Sequence, residues 1–174
     1  MRTTEPTRSR RKPGENRERL LEAGLIEFGL FGYSGTSTAS IAARAEVPQP
    51  HVYASFSAKR ELFLACASRA CETVVQKCSG APAAFACADE VGSIGASDAA
   101  QTDSEFLRAL LMLLQAFSAV RDTELRVELA PRLRELRGSL GAPLLAHLLG
   151  IAAESQLLEV AADLDPRQQE RGEQ

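Results

Sequence analysis

The sequence contains only two histidines, His51 and His147, far apart along the chain. It has no HExxH pair, no Gly-rich phosphate loop and no Ser/His/Asp grouping, so the usual settings for hydrolysis, metal-assisted chemistry and phosphoryl transfer are missing. A thiol at Cys66 or Cys71 is the remaining nucleophile, and no base lies near it in sequence. The expectation is a non-enzymatic protein without metal or cofactor. Cysteine is sparse as well. Cys66, Cys71, Cys78 and Cys87 include no CxxC and no His at ligand spacing, which argues against structural zinc. A heptad step along a helix is about 10 Å, too far for a disulfide between Cys71 and Cys78. The cysteines read as small buried hydrophobes in a reducing compartment.

Long apolar runs are also missing. The stretch from Phe106 to Val120 is broken by Arg108 and Gln115 and falls short of the roughly 20 residues that a membrane span needs. The Arg-rich start runs into charged residues with no apolar h-region, so no secretory signal is expected and a cytoplasmic location is. Internal repeats and strand-like alternation are absent. What is present is the balance of a globular chain: 174 residues, 45% hydrophobic and 25% charged, enough to bury a sizeable core.

The net charge of −3 conceals an asymmetry. Residues 1–60 carry ten Lys/Arg against six Asp/Glu, whereas 61–174 carry ten against seventeen. A basic N-terminal third on an acidic body suits an encounter with a polyanion at one end.

Residues 1–14, with Arg8, Arg10, Arg11 and Lys12, read as a flexible basic arm. Helical periodicity then runs from Glu15 to Phe31 through Leu21, Leu25 and Phe28, and Gly32 is expected to stop it. Two short helices follow, over 38–45 and 49–56, capped by Thr36 or Ser37 and separated by Glu46-Val47-Pro48. Such a pair reads as a helix-turn-helix. A longer helix begins near Ser57 and ends near Ser79, with Leu62, Cys66, Ala70, Val74 and Cys78 along one face. Residues 80–102 read as a long loop. Three further helices are expected over 103–120, 122–137 (kinked at Pro131) and 141–162, and a polar tail occupies 166–174. The fold class is all-α, with a helix-turn-helix domain over 15–58 and a helical body over 59–165.

Within the helix pair, Ile41, Val47, Val52 and Phe56 would fix the two helices against each other. Gln49, Pro50, His51 and Tyr53 would then point outwards. A Gln amide matches adenine N6 and N7, a His can donate to guanine N7 or O6, and Pro50 could touch a thymine methyl. Tyr53 suits a phosphate oxygen, and Lys59 offers a charged donor beside a helix start.

The same segment resembles the DNA-binding region of the TetR family of bacterial transcription regulators. The resemblance rests on Gly32-Tyr33, Thr36-Ser37, Ile41-Ala42, Val52-Tyr53, Phe56 and Lys59, in that order. It implies that Tyr53, Lys59 and the Thr36, Ser37 and Thr38 group bind phosphate while Gln49, Pro50 and His51 face the bases of double-stranded DNA. Two positions depart from the family pattern. Glu46 stands where Gly is usual and would adopt a positive φ, at a cost of roughly 1 kcal/mol or more, with its carboxylate near DNA. Pro48 replaces the Ser or Thr that would cap the recognition helix.

The resemblance further implies a C-terminal helical body that binds a small molecule and forms a homodimer, so that a palindromic operator is read by two copies. Leu140, Leu144, Leu148 and Ile151 are the expected dimer residues. Phe63, Cys66, Ala70, Met112, Gln115, Phe117 and His147 are the expected lining of an apolar effector pocket. The function so implied is an effector-released repressor. The alternative is a helical small-molecule-binding protein with weakened or lost DNA binding.

Overall fold

The computed structural model describes residues 14–79 and 104–163. The basic arm up to Pro13, the 80–102 segment with Cys87, and the 166–174 tail lie outside the described residues. Every described element is a helix: α1 (Glu15–Gly35), α2 (Thr38–Arg44), α3 (Pro50–Ser55), α4 (Lys59–Ser79), α5 (Ser104–Ala119), α6 (Thr123–Leu140) and α7 (Ala142–Asp163).

α5 is the axis of the molecule because it is apolar over most of its circumference. Phe106, Ala109, Leu110, Leu111, Met112, Leu113 and Ala116 are all buried, and α1, α4 and α7 pack around them. A helix apolar on several faces must be covered on each of them. α1 fits closely because two glycines remove side chains at its contacts. A Cβ on Gly29 would lie 3.3 Å from Leu111 Cβ, and one on Gly24 would lie 2.7 Å from Cys66 Sγ. The core is continuous from Leu20 on α1 to Ala152 on α7, so the helix-turn-helix shares its hydrophobic support with the body behind it.

Local signals account for most of the helix ends. Ser37 and Ser40 form a reciprocal capping box at the start of α2. The Ser57 N–H and hydroxyl both donate to Glu61, at 2.6 and 2.7 Å, and brace the start of α4. Asp122 accepts from the N–H groups of Glu124 and Leu125 at the start of α6. Gly141, at φ 80°, ends α6, and α7 leaves at 110° to it.

Two expectations about helix continuity need correction. Gly32 does break the helical backbone, at φ 69° and ψ 179°, yet one more helical turn follows it before Thr36. Pro131 does not interrupt α6, which runs on to Leu140. The hydrogen bond that a proline forfeits is the one to the carbonyl four residues earlier, at Val127. Val127 is 75% exposed, a setting in which water can satisfy that carbonyl.

Candidate nucleic-acid interface

The turn between α2 and α3 is built around Glu46. Its φ is 52°, the one positive value at a non-glycine residue among those described. The Glu46 N–H donates to the Ala43 carbonyl and the Val47 N–H to the Ala42 carbonyl, both at 3.0 Å. These two bonds constitute a Schellman ending of α2, with Glu46 at the position that glycine normally takes. Val47 and Ala42 are both buried, which supplies the apolar contact that accompanies the motif. The positive φ expected from sequence is therefore present. The Glu46 carboxylate is drawn back to α1, where Arg19 Nη2 holds it at 2.8 Å.

Ile41, Val47, Val52 and Phe56 are buried together and lock α3 against α2 and α1. Arg17 lies over the Phe56 ring, 4.8 Å from its centroid. On the other side of this seam Gln49, Pro50, His51 and Tyr53 are exposed. Three polar groups meet there. Tyr53 Oη and Thr38 Oγ1 share a hydrogen bond of 3.1 Å, and Gln49 Nε2 donates to the same Thr38 oxygen at 3.4 Å. Asn16, in the first turn of α1, reaches His51 Nδ1 at 3.4 Å. This contact ties the recognition helix to α1 and leaves the Nε2 edge of the His51 ring facing outwards as the donor or acceptor that its tautomer makes it.

Thr36 is placed differently. It is buried, and its hydroxyl faces the carbonyls of Gly32 and Glu27 at 2.8 and 3.0 Å. Its hydroxyl therefore belongs to the α1–α2 corner, and only Ser37 and Thr38 offer hydroxyls at the surface. Glu27, buried in the same corner, is neutralised by Arg44 Nε at 2.6 Å. Sequence reasoning missed this pair. Their separation of 17 residues spans two helices and leaves no periodic trace.

Lys59 is not a free surface lysine. Its ammonium lies 4.6 Å from the centroid of the Tyr33 ring, and Tyr33 packs in turn on Phe63 and Phe28. Burial lowers the Lys59 pKa. Burial, with Asp122 and Glu124 nearby, raises that of Tyr33. The aromatic stack thus positions the cation at the start of α4.

The residues expected to line an effector pocket stand in different settings. Phe63, Cys66, Ala70 and Met112 are completely buried core residues packed on one another's helices. Phe117 and His147 are half-buried and line no described cleft. Gln115 alone lines one, a surface cleft of about 350 Å³ beside Gly32 and Tyr33. The expected dimer residues also differ in their exposure within the protomer. Leu148 and Ile151 are buried within the protomer, and Leu140 and Leu144 are partly so. The large apolar side chains that α6 and α7 do expose are Val127, Leu157 and Leu158. Helical spacing identifies an apolar stripe but not what covers it.

The three described cysteines are free thiols, wholly or partly buried. Burial pushes the Cys71 thiol up to about 11 and moves Cys66 and Cys78 in the same direction. The Cys66 thiol donates to the Leu21 carbonyl at 3.6 Å. No group of residues able to hold a metal ion occurs among the described residues, and no single described helix is long and apolar enough to cross a membrane.

Residues 20–66, which hold this helix-turn-helix, match the family of bacterial regulatory proteins named tetR. Residues 20–66 are therefore a TetR-type helix-turn-helix domain. Its fold agrees with solved TetR-like structures. A TetR-like transcriptional regulator from Rhodococcus sp. RHA1 is 24% identical, with a TM-score of 0.50 over 87% of this chain and 80% of that one. A protein from Mesorhizobium loti MAFF303099 assigned to the TetR family is 17% identical, with a TM-score of 0.52 over 79% and 77% of the two chains. A protein from Pseudomonas aeruginosa PAO1 assigned as a transcriptional regulator is 22% identical, with a TM-score of 0.50 over 87% and 84%. No curated protein matches the chain significantly.

Proposed function

We propose that this chain is a TetR-family regulator, a cytoplasmic homodimeric repressor that reads a palindromic operator with α3 and leaves it when a small molecule binds. The observation that carries this reading is the face on which the half-buried Thr38 meets the exposed Gln49, Pro50, His51 and Tyr53, above a fully buried Ile41–Val52–Phe56 seam. Residues 15–58 act as the reading head and 59–165 as the body. Gln49, Pro50 and His51 meet base edges, a His51 ring N–H being suited to guanine N7 or O6. Tyr53, Lys59, Ser37 and Thr38 meet phosphates, Thr36 contributing through its backbone.

Two copies are needed because successive major grooves lie about 34–36 Å apart. The exposed Val127, Leu157 and Leu158, with the partly buried Leu140 and Leu144, supply an apolar surface on the last two helices for that pairing. Effector control would pass through the start of α4, where Arg60 pairs with Glu128 at 3.0 Å and reaches the Glu124 carbonyl at 3.4 Å. A ligand that favours another setting of α4 shifts the population away from the DNA-binding form. Of the residues expected to line an apolar pocket, Phe63, Cys66, Ala70 and Met112 are buried in the core and Gln115 lines a surface cleft.

The test is selection of duplexes from a random pool, followed by titration of the winner at several salt concentrations. Enrichment of a palindrome with a steep salt slope is the expected result. His51→Ala should relax the sequence preference, whereas Tyr53→Phe should weaken all duplexes alike. The second reading, a ligand-binding helical protein with weakened DNA binding, is favoured by the Glu46 carboxylate at the reading head. Absence of enrichment at low salt would select it.

A further inference from the structure

A cleft of about 490 Å³ opens where the reading head meets the body, between α1, α2, α4 and α5. Four guanidinium groups line it, one from each helix: Arg19, Arg44, Arg69 and Arg108. Two carboxylates, Glu22 and Glu105, share the lining. The carboxylates that hold three of the arginines do not line it. Glu46 takes Arg19 through Nη2, Glu27 takes Arg44 through Nε, and Glu18 takes Arg69 through both terminal nitrogens. Each pair fixes a guanidinium from outside the cleft, and the first two leave further N–H donors unspent. Arg108 is exposed on α5 and makes no ion pair among the described residues. Between the charges the walls are apolar, formed by Ala23, Leu25, Ile26, Ala45 and Ala109.

We propose that this cleft binds a small organic anion whose carboxylate is taken by Arg108 and Arg44 and whose apolar body rests on α1 and α5. Arg44, fixed by Glu27 before binding, and Arg108, whose fork has no ion-pair partner among the described residues, suit a planar carboxylate, and the volume matches a small-molecule ligand. The site is separate from the DNA face. Arg44 ends α2 and Thr38 begins it, about 9 Å apart along the helix axis. A ligand here would touch Ala45, next to the Glu46 turn, so a coupling to DNA binding is built in. That coupling rests on the proposed function, whereas the ligand assignment does not.

The test is calorimetric titration of the full-length protein with benzoate, benzyl alcohol and inorganic phosphate, without DNA and at low ionic strength. Saturable binding of benzoate, tighter than that of phosphate and absent for benzyl alcohol, is expected. Arg108→Gln should weaken benzoate about tenfold, the usual loss for one charge-assisted hydrogen bond. The Arg134→Gln variant, which removes an exposed arginine outside the cleft, should leave binding unchanged. Benzoate binding that is absent, insensitive to Arg108→Gln, or equalled by benzyl alcohol or phosphate would overturn the assignment. Because DNA is left out, a failure of operator binding cannot be mistaken for a failure of this site.

Discussion

At the scale of single residues, two positions carry unusual backbone or packing demands. Glu46 occupies the left-handed region at a helix ending where glycine is at ease, and its ion pair with Arg19 is exposed and worth little. Glu46→Gly should therefore raise stability by up to about 1 kcal/mol, read from a denaturant midpoint. It should also tighten DNA binding, because it removes a negative charge and releases Arg19. A variant that melts no later and binds no better would mean that the Arg19 contact matters more than the strain. Gly24 is the opposite case. A methyl group there would overlap the buried Cys66 sulfur, so Gly24→Ala should cost about 1–3 kcal/mol. Adding Cys66→Ala removes that sulfur and should recover part of the loss. No recovery in the double variant would move the cause away from this contact.

At the scale of elements, capping decides where helices start. Glu61 receives both donors of Ser57, and these hydrogen bonds lower its pKa below the ordinary carboxylate value. A depressed carboxylate pKa stabilises the fold above the unfolded-state pKa, near 4.3, and the contribution disappears as pH falls through the folded value. Glu61→Gln should thus be less stable than the parent at neutral pH. The gap between their melting temperatures should close on acidification. A gap independent of pH would show that shape, not charge, sets the cap. The start of α4 also holds Lys59 and Arg60, so the same turn anchors the Tyr33 contact and the link to α6.

At the scale of the molecule, the shared core joins the reading head to the body without a break. Gln156 on α7 adds to this by donating to the Gly29 carbonyl of α1 at 3.0 Å. The two parts are therefore joined by packed side chains. The exposed Leu157 and Leu158 belong to the same α7. Leu157→Asp with Leu158→Asp should shift the protein towards monomer in sedimentation while leaving its helical circular dichroism intact. Operator affinity should fall with it, since one head reads only half a palindrome. A double variant that stays dimeric would move the interface elsewhere.

Much of the reading head was legible in the sequence because its determinants are local. Ser37 and Ser40 lie three apart, Glu46 stands at a helix ending, and a buried Val52 beside an exposed Tyr53 follows from helical periodicity alone. The body was less legible. Leu148 and Ile151 form an apolar stripe whether they face their own chain or another, and only tertiary packing assigns them to the protomer's core. Phe63, Cys66 and Met112 have the composition of a pocket wall, and it is the packing that buries them completely in the core. The convergence of Arg19, Arg44, Arg69 and Arg108 was likewise invisible. Periodicity records which face of each helix is apolar. Only the arrangement of the helices decides what each face meets, because that choice depends on contacts between residues distant in the chain.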